Sequence, residues 1–292
     1  MGGKRMSSHG KKKNTGKTIA CIVFSFLLSI FVSIAAMLMA IKIGFFNKEL
    51  IFESFDKVNF YYEVQQEIYK QMGYEIVPTG LETNLLDGTI SIEKVHEDIN
   101  AYIEACFDNK EYTIDTAEIE EAIYENIMEQ FNNMDRQNDP GTQEHAKKFV
   151  SNIIEKYPEL IEFPYMRQFA DTWRKVDLIV MIVIGLAVVM GLFCAVFLIL
   201  LQRWKHRSLR YITYATLASA LMTVGLPAYL LIGKSYKGLG IKPVYLYNFC
   251  MAYIDASLYR FVWVGTGLLG VSILFMCIIK LMRRRLHRRG NW

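Results

Sequence analysis

Residues 178–210 read LIVMIVIGLAVVMGLFCAVFLILLQRWKHRSLR. From Leu178 to Leu201 about 24 residues carry no charge, and as a helix rising about 1.5 Å per residue they extend roughly 36 Å, enough for a hydrocarbon core of about 30 Å with some tilt. The octet that closes the stretch holds Arg203, Lys205, Arg207 and Arg210 without one acid. Lys and Arg in short loops are retained on the cytoplasmic side of a membrane. The segment therefore predicts a crossing that enters from outside and ends inside, and it orients the rest of the chain.

With 52% hydrophobic residues and a mildly positive mean hydropathy the chain is too apolar for an ordinary soluble domain, while 21% charged residues are too many for lipid throughout. Two kinds of segment must alternate along it. The net charge of +4 conceals the division: from Phe46 to Lys175 there are about 27 acids against about 12 bases, and the remainder is strongly basic. Because those bases flank apolar runs, they suit anionic lipid headgroups at the cytoplasmic face rather than nucleic acid.

Three more uncharged runs are long enough to span: Thr18 to Ile41, Tyr211 to Gly233 and Phe261 to Ile279. The first exceeds the roughly 7 to 15 residues of a signal-peptide core and is expected to stay as an anchor. Lys280, Arg283, Arg284, Arg285, Arg288 and Arg289 close the chain as a second inside signal. The layout expected is a basic tail over 1–17, a span over 18–45, an extracytoplasmic domain over 46–175, a span over 176–202 and a cytoplasmic loop over 203–210. A span over 211–233, an extracytoplasmic loop over 234–260, a span over 261–281 and a basic tail over 282–292 complete it, in a cell membrane with both termini cytoplasmic. Residues 243–258 read either as an interfacial helix or as the outward extension of the fourth span. The tyrosines of 234–260 suit an interface.

Within 46–175 the apolar residues recur at helical spacing and no window is long enough to cross. Val58, Tyr61, Gln65, Ile68 and Met72 predict a helix ending near Gly73. The connector that follows, with Pro78, Gly80 and Gly88, has room for a short helix around Leu81 to Leu86. Ser91 is placed to cap a helix whose face is Ile92, Val95, Ile99, Tyr102, Ile103 and Cys106, with Ile90 and Val95 as its staple. Asp115 with Glu118 makes a capping-box variant ahead of Ile119, Ile123, Ile127 and Phe131. A further helix from Ala146 is expected to stop at Pro158, and Pro164 to open a last one running into the Leu178 span. The fold class is thus an all-α integral membrane protein, four transmembrane helices with an all-α extracytoplasmic domain between the first and second.

The runs hold no internal acid or base of the kind that marks ion paths. They hold small residues four apart: Ser25, Ser29 and Ser33; Ala187, Gly191 and Ala195; Ala215, Ser219 and Thr223; Thr266 and Gly270. Such stripes let helix backbones approach, so these are the expected packing positions. Elsewhere the chemistry is thin. Glu93 and His96 have the Glu-x-x-His spacing of half a di-metal site, with no second copy, and Asp135, Gln137 and Asp139 read as a polar turn rather than a calcium loop. There is no Gly-x-Ser-x-Gly and no Walker motif, so neither an enzyme nor a cofactor is legible. Of Cys21, Cys106, Cys194, Cys250 and Cys277 only Cys106 and Cys250 would face the oxidising side, and Cys106 sits on an apolar stripe, which favours a buried thiol. The crowded acids Glu118, Glu120, Glu121, Glu125 and Glu129 form a solvated face, open to an unidentified basic protein partner or a divalent ion.

The stretches Leu-Leu-Asp-Gly-Thr-Ile-Ser-Ile-Glu, Asp-Ile-Asn-Ala-Tyr-Ile and Tyr-Thr-Ile-Asp-Thr-Ala-Glu-Ile between Leu85 and Ile127 resemble a family of multi-pass membrane proteins of Gram-positive bacteria, one that brings no activity with it. The order of one span, a large outer domain and three spans is also similar to that of the permease FtsX and the MacB-type permeases. Those carry a longer loop after the second span with an acidic element that docks on an ATPase, where this chain has only Arg203 to Arg210. The residues point to a non-enzymatic binding, sensory or assembly component of a bacterial envelope. The membrane subunit of an ABC-type complex of the MacB and FtsX kind is the alternative.

Overall fold

A computed structural model describes residues 9–133, 141–202 and 205–289. Met1 to Ser8, Asp135, Gln137, Asp139, Arg203 and residues 290–292 lie outside them. Among the described residues there is no strand. The helices, in order, are α1 (His9–Ile43), α2 (Lys48–Lys57), α3 (Phe60–Ile76), α4 (Ile92–Asp108), α5 (Ala117–Asn133), α6 (Thr142–Ile154), α7 (Lys156–Ile161), α8 (Met166–Leu201), α9 (Lys205–Gly233) and α10 (Val244–Arg289). Four of them are long and apolar enough to cross a membrane, over Gly16–Ile43, the end of Gln143–Leu201, His206–Gly233 and Val244–Arg284. The chain divides into two compact units. One comprises Met1–Leu50, Asp177–Leu239 and Tyr253–Trp292, the other Ile51–Val176 and Gly240–Ala252.

In the first unit α1 and α9 run parallel and pack most closely. Ser25 Oγ donates to the Tyr211 carbonyl at 3.0 Å, Ser219 Oγ to the Ser29 carbonyl at 2.8 Å, and Ser33 Oγ to Met222 Sδ at 3.4 Å, so the register advances together along both helices. Helix α8 runs antiparallel to α1, with the Phe24 and Phe197 rings stacked at 4.1 Å and Cys21, Leu28, Cys194, Leu198 and Ala215 buried among the three helices. Helix α10 is antiparallel to α9, joined by Ser272 Oγ donating to Thr216 Oγ1 at 2.9 Å. Most of the apolar surface of α8 and α10 remains exposed, as a helix whose neighbour is lipid would have it.

The second unit is a close-packed helical core. Phe55, Phe60, Val64, Ile68, Met72, Ile99, Ile103, Ile123, Ile127 and Tyr157 are all at most 2% exposed, which is the burial expected where apolar stripes of several helices meet. Phe249, in the first turns of α10, joins this core 4.5 Å from the Phe55 ring and 5.7 Å from that of Phe60. The Ser91 hydroxyl accepts from the Lys94 amide at 3.1 Å, and α4 closes on Asn109 in the left-handed region at φ 57°. Asp115 Oδ1 accepts from the Ala117 amide at 3.0 Å, a two-residue turn ahead of α5 in place of the expected capping box with Glu118; Ile90, Val95, Ile114 and Ile119 are buried at these two helix starts, while Ile92, expected on the buried face of α4, is 38% exposed.

Several boundaries differ from the sequence expectations. The first helix of this unit is broken at Asn59, whose φ of 51° interrupts it between α2 and α3, and it ends at Ile76 rather than Gly73, where Pro78 enters a 3-10 turn. The helix expected to stop at Pro158 stops at Ile154. Pro158 instead occupies the first turn of α7, where a missing N–H is not needed for an intrahelical bond. Residues 9–17 of the basic stretch ahead of the first span are helical, because extending an existing apolar helix through lysines avoids a new nucleus. The octet likewise becomes the start of α9 from Lys205, and the basic end of α10 stays helical to Arg289. Helix α10 starts at Val244 and is continuous, so residues 244–258 extend the fourth apolar helix.

Candidate functional site

Two of the small-residue stripes meet each other. Ser29 and Ser33 on α1 and Ala215, Ser219 and Thr223 on α9 are buried, and Ser25 is half-buried beside Tyr211. Their hydroxyls do not face hydrocarbon unpaired: Ser29 Oγ donates to the Phe26 carbonyl at 2.8 Å, Ser219 Oγ also reaches the Ala215 carbonyl, and Thr223 Oγ1 donates to the Ser219 carbonyl at 2.8 Å. Each bond spares a polar group the cost of lying unsatisfied in lipid while keeping the side chain small enough for close backbone approach. On α8, Ala187 and Gly191 are buried and Ala195 is half-buried. A methyl group on Gly191 would lie 3.7 Å from Phe31 Cβ and 3.8 Å from Leu28 Cδ1 of α1.

The fourth stripe is placed otherwise. Thr266 and Gly270 are exposed, and nothing lies within 4 Å of where a Gly270 side chain would start. The close approach of α10 falls at Gly265, where a Cβ would collide with Val224 Cγ2 and stand 3.3 Å from the Ala220 carbonyl oxygen. Spacing alone did not reveal it, because Gly265 belongs to no four-residue repeat of small residues. It lies seven residues before Ser272, two helical turns, and that face is the one turned to α9.

At the end of this unit opposite the basic octet, Lys42 Nζ meets Asp177 Oδ1 at 2.6 Å. Asp255 accepts from the Tyr236 hydroxyl and lies 3.7 Å from Lys237 Nζ. Burial, followed by the hydrogen bond to Asp255 and then its charge, pushes the Tyr236 hydroxyl up to about 12.

In the second unit the sequence reading passed over Asp98. Its side chain is 1% exposed and both oxygens are engaged: Tyr112 OH donates to Oδ1 at 3.1 Å, Lys94 Nζ approaches Oδ1 at 3.2 Å, and Tyr157 OH donates to Oδ2 at 2.7 Å. The carboxylate thereby ties α4 to the segment before α5 and to α7. A buried charge is tolerable when paired and fully hydrogen-bonded, and this one is. Burial first, then the Asp98 charge, pushes the Tyr112 hydroxyl up to about 12. A signal was available in the sequence, since Val95, Asp98, Ile99 and Tyr102 share one helical face and an acid on an apolar stripe demands a partner.

The His96 ring lies tilted against that of Tyr61, with centroids 4.4 Å apart, and near the Asn100 amide, while Tyr61 OH donates to Asn100 Oδ1 at 2.8 Å. Among the described residues no group of three His, Cys, Asp or Glu side chains is placed to hold a metal ion. Cys106 is a buried free thiol and Cys250 is also free, so the pair does not form a disulfide. Glu118, Glu120, Glu121, Glu125 and Glu129 are exposed along α5. Compared with protein-family models, with curated proteins and with solved structures, the chain matches none.

Proposed function

We propose that this chain is a four-span component of a bacterial cell membrane that works by binding rather than by chemistry, as a sensory or assembly element of the envelope. In this reading both termini lie in the cytoplasm, and the Ile51–Val176 region faces outward and offers its acidic surface to a protein partner. The observation that carries it is the segregation of charge. Of 29 acids in the chain, all but Asp177 and Asp255 fall between Phe46 and Lys175, while the bases outside that region cluster at the ends of the apolar helices. A surface of one sign steers and selects partners of the other. The exposed glutamates of α5 put that surface on a rigid element.

The MacB and FtsX kind of reading gains less support. Helix α8 ends at Leu201 and α9 begins at Lys205, a connection too short for the acidic docking element those permeases carry. The test is affinity purification from membranes with native lipids, comparing the wild-type chain with a variant carrying Gln at Glu118, Glu121 and Glu125. Recovery of a basic envelope protein by the first and not the second supports the proposal. Recovery of an ATPase by both would replace it with the permease reading.

A further inference from the structure

Between α1 and α9, near the basic octet, lies an open groove of about 300 Å³. Ile22 and Phe26 form its α1 wall, Tyr214 and Ala218 its α9 wall, with Ser25, Ser29 and Tyr211 at its base. The Ser25 and Ser29 hydroxyls are already spent on the Tyr211 and Phe26 carbonyls, so apart from the two tyrosine hydroxyls what the groove offers a guest is methyl, methylene and ring surface. That suits hydrocarbon and not a polar solute.

The residues beyond its mouth are of the opposite character. Arg207, Arg210, Tyr214 and Ala218 recur at three- and four-residue intervals, which on α9 is one face, and Arg207 and Arg210 are exposed. Arg207 precedes Tyr214 by two turns, roughly 10 Å along the helix, a distance that a lipid lying along this face spans from its chain to its phosphate. Among the described residues this end of the bundle has no Asp or Glu. The chain has no acid before Glu49 and only Asp255 after Asp177. Both of those aspartates lie at the other end, held by Lys42 and by Tyr236 with Lys237.

We propose that the α1–α9 groove holds an acyl chain of one anionic phospholipid from the leaflet at the basic end, with the lipid phosphate between Arg207 and Arg210. The site rests on the bundle crossing a bilayer and not on the identity of any envelope partner. A protein that incorporates into bilayers yet captures no partner would therefore leave it standing.

The experiment uses the full chain in phosphatidylcholine nanodiscs doped with phosphatidylglycerol bearing a photoactivatable acyl chain, and maps the crosslinked peptides. The expected result is labelling concentrated on residues 22–29 and 211–218, preferred roughly tenfold over the same probe with a choline headgroup. The double variant Arg207→Gln, Arg210→Gln should abolish the headgroup preference. Ala218→Phe, which fills the groove, should reduce labelling there for both probes. If Ala218→Phe does not assemble, the arginine variant decides alone. Equal labelling by the two headgroups, labelling spread evenly over α8 and α10 as for bulk lipid, or a preference that survives loss of both arginines would overturn the proposal.

Discussion

Lys42 Nζ lies 2.6 Å from Asp177 Oδ1, pairing the last turn of α1 with α8 one residue before its uncharged run begins at Leu178. Both side chains are partly exposed, 29% and 23%, so the pair belongs with ion pairs worth about 0–1 kcal/mol rather than with buried ones. Its role is then chiefly to fix the register of two antiparallel helices. Lys42→Met and Asp177→Asn should each lower thermal stability in detergent by about 0.5 kcal/mol, with a coupling of similar size in the double-mutant cycle. Strictly additive losses would mean the pair contributes no register.

Gly191 and Val188 give the α8 seam a sharper test. A Cβ at Gly191 meets α1 at ordinary contact distance, so Gly191→Ala should be mild, whereas Gly191→Leu forces extra atoms against Phe31 and Leu28 at a cost of about 1–3 kcal/mol. Val188 is 47% exposed, and Val188→Leu should change little. Equal detergent stability of Gly191→Leu and Val188→Leu would show that this face of α8 does not pack on α1.

Asp98 predicts the largest single loss. In Asp98→Ala both tyrosine hydroxyls and the Lys94 ammonium lose their acceptor inside a core, and breaking such a buried set by removing one partner costs about 3–5 kcal/mol. Tyr157→Phe removes one donor and should cost about 1–2 kcal/mol. Chemical denaturation of the full chain in mild detergent, followed by helicity, measures both. A smaller loss for Asp98→Ala than for Tyr157→Phe would contradict the geometry.

The Tyr112 hydroxyl titrates higher folded, about 12, than its ordinary 10. Between those values the unfolded chain has released a proton that the folded chain retains, so stability falls as pH rises from about 10 to about 12 and is unaffected by this group below that window. Tyr112→Phe should flatten the decline across the window. An unchanged slope in a pH series of unfolding midpoints would remove the assignment.

The parts of this fold that could be read from the sequence are those in which one face of a helix has one kind of neighbour. The apolar runs, the cap at Ser91 and, Ile92 apart, the faces of α4 and α5 follow from local pattern. Small residues four apart say that a backbone approaches at Ser29 and at Ser219, but that these two stripes meet each other is not in the spacing. What escaped depends on tertiary pairing. Asn59 breaks a continuous apolar period with a left-handed residue that the period does not encode. Gly265 is small because Val224 stands against it, and Thr266 and Gly270 imitate a stripe with nothing opposite. Asp98 was visible as an anomaly, but its two tyrosine donors come from positions 14 and 59 residues away.

The central claim is the orientation set by the segregation of charge, and labelling of engineered cysteines in intact cells tests it most directly. In a background with the native cysteines replaced, Glu111→Cys and Lys237→Cys should react with a membrane-impermeant maleimide from outside, while Arg207→Cys and Arg284→Cys should react only after permeabilisation. Labelling of Arg207→Cys in intact cells, with Glu111→Cys protected, would contradict the account.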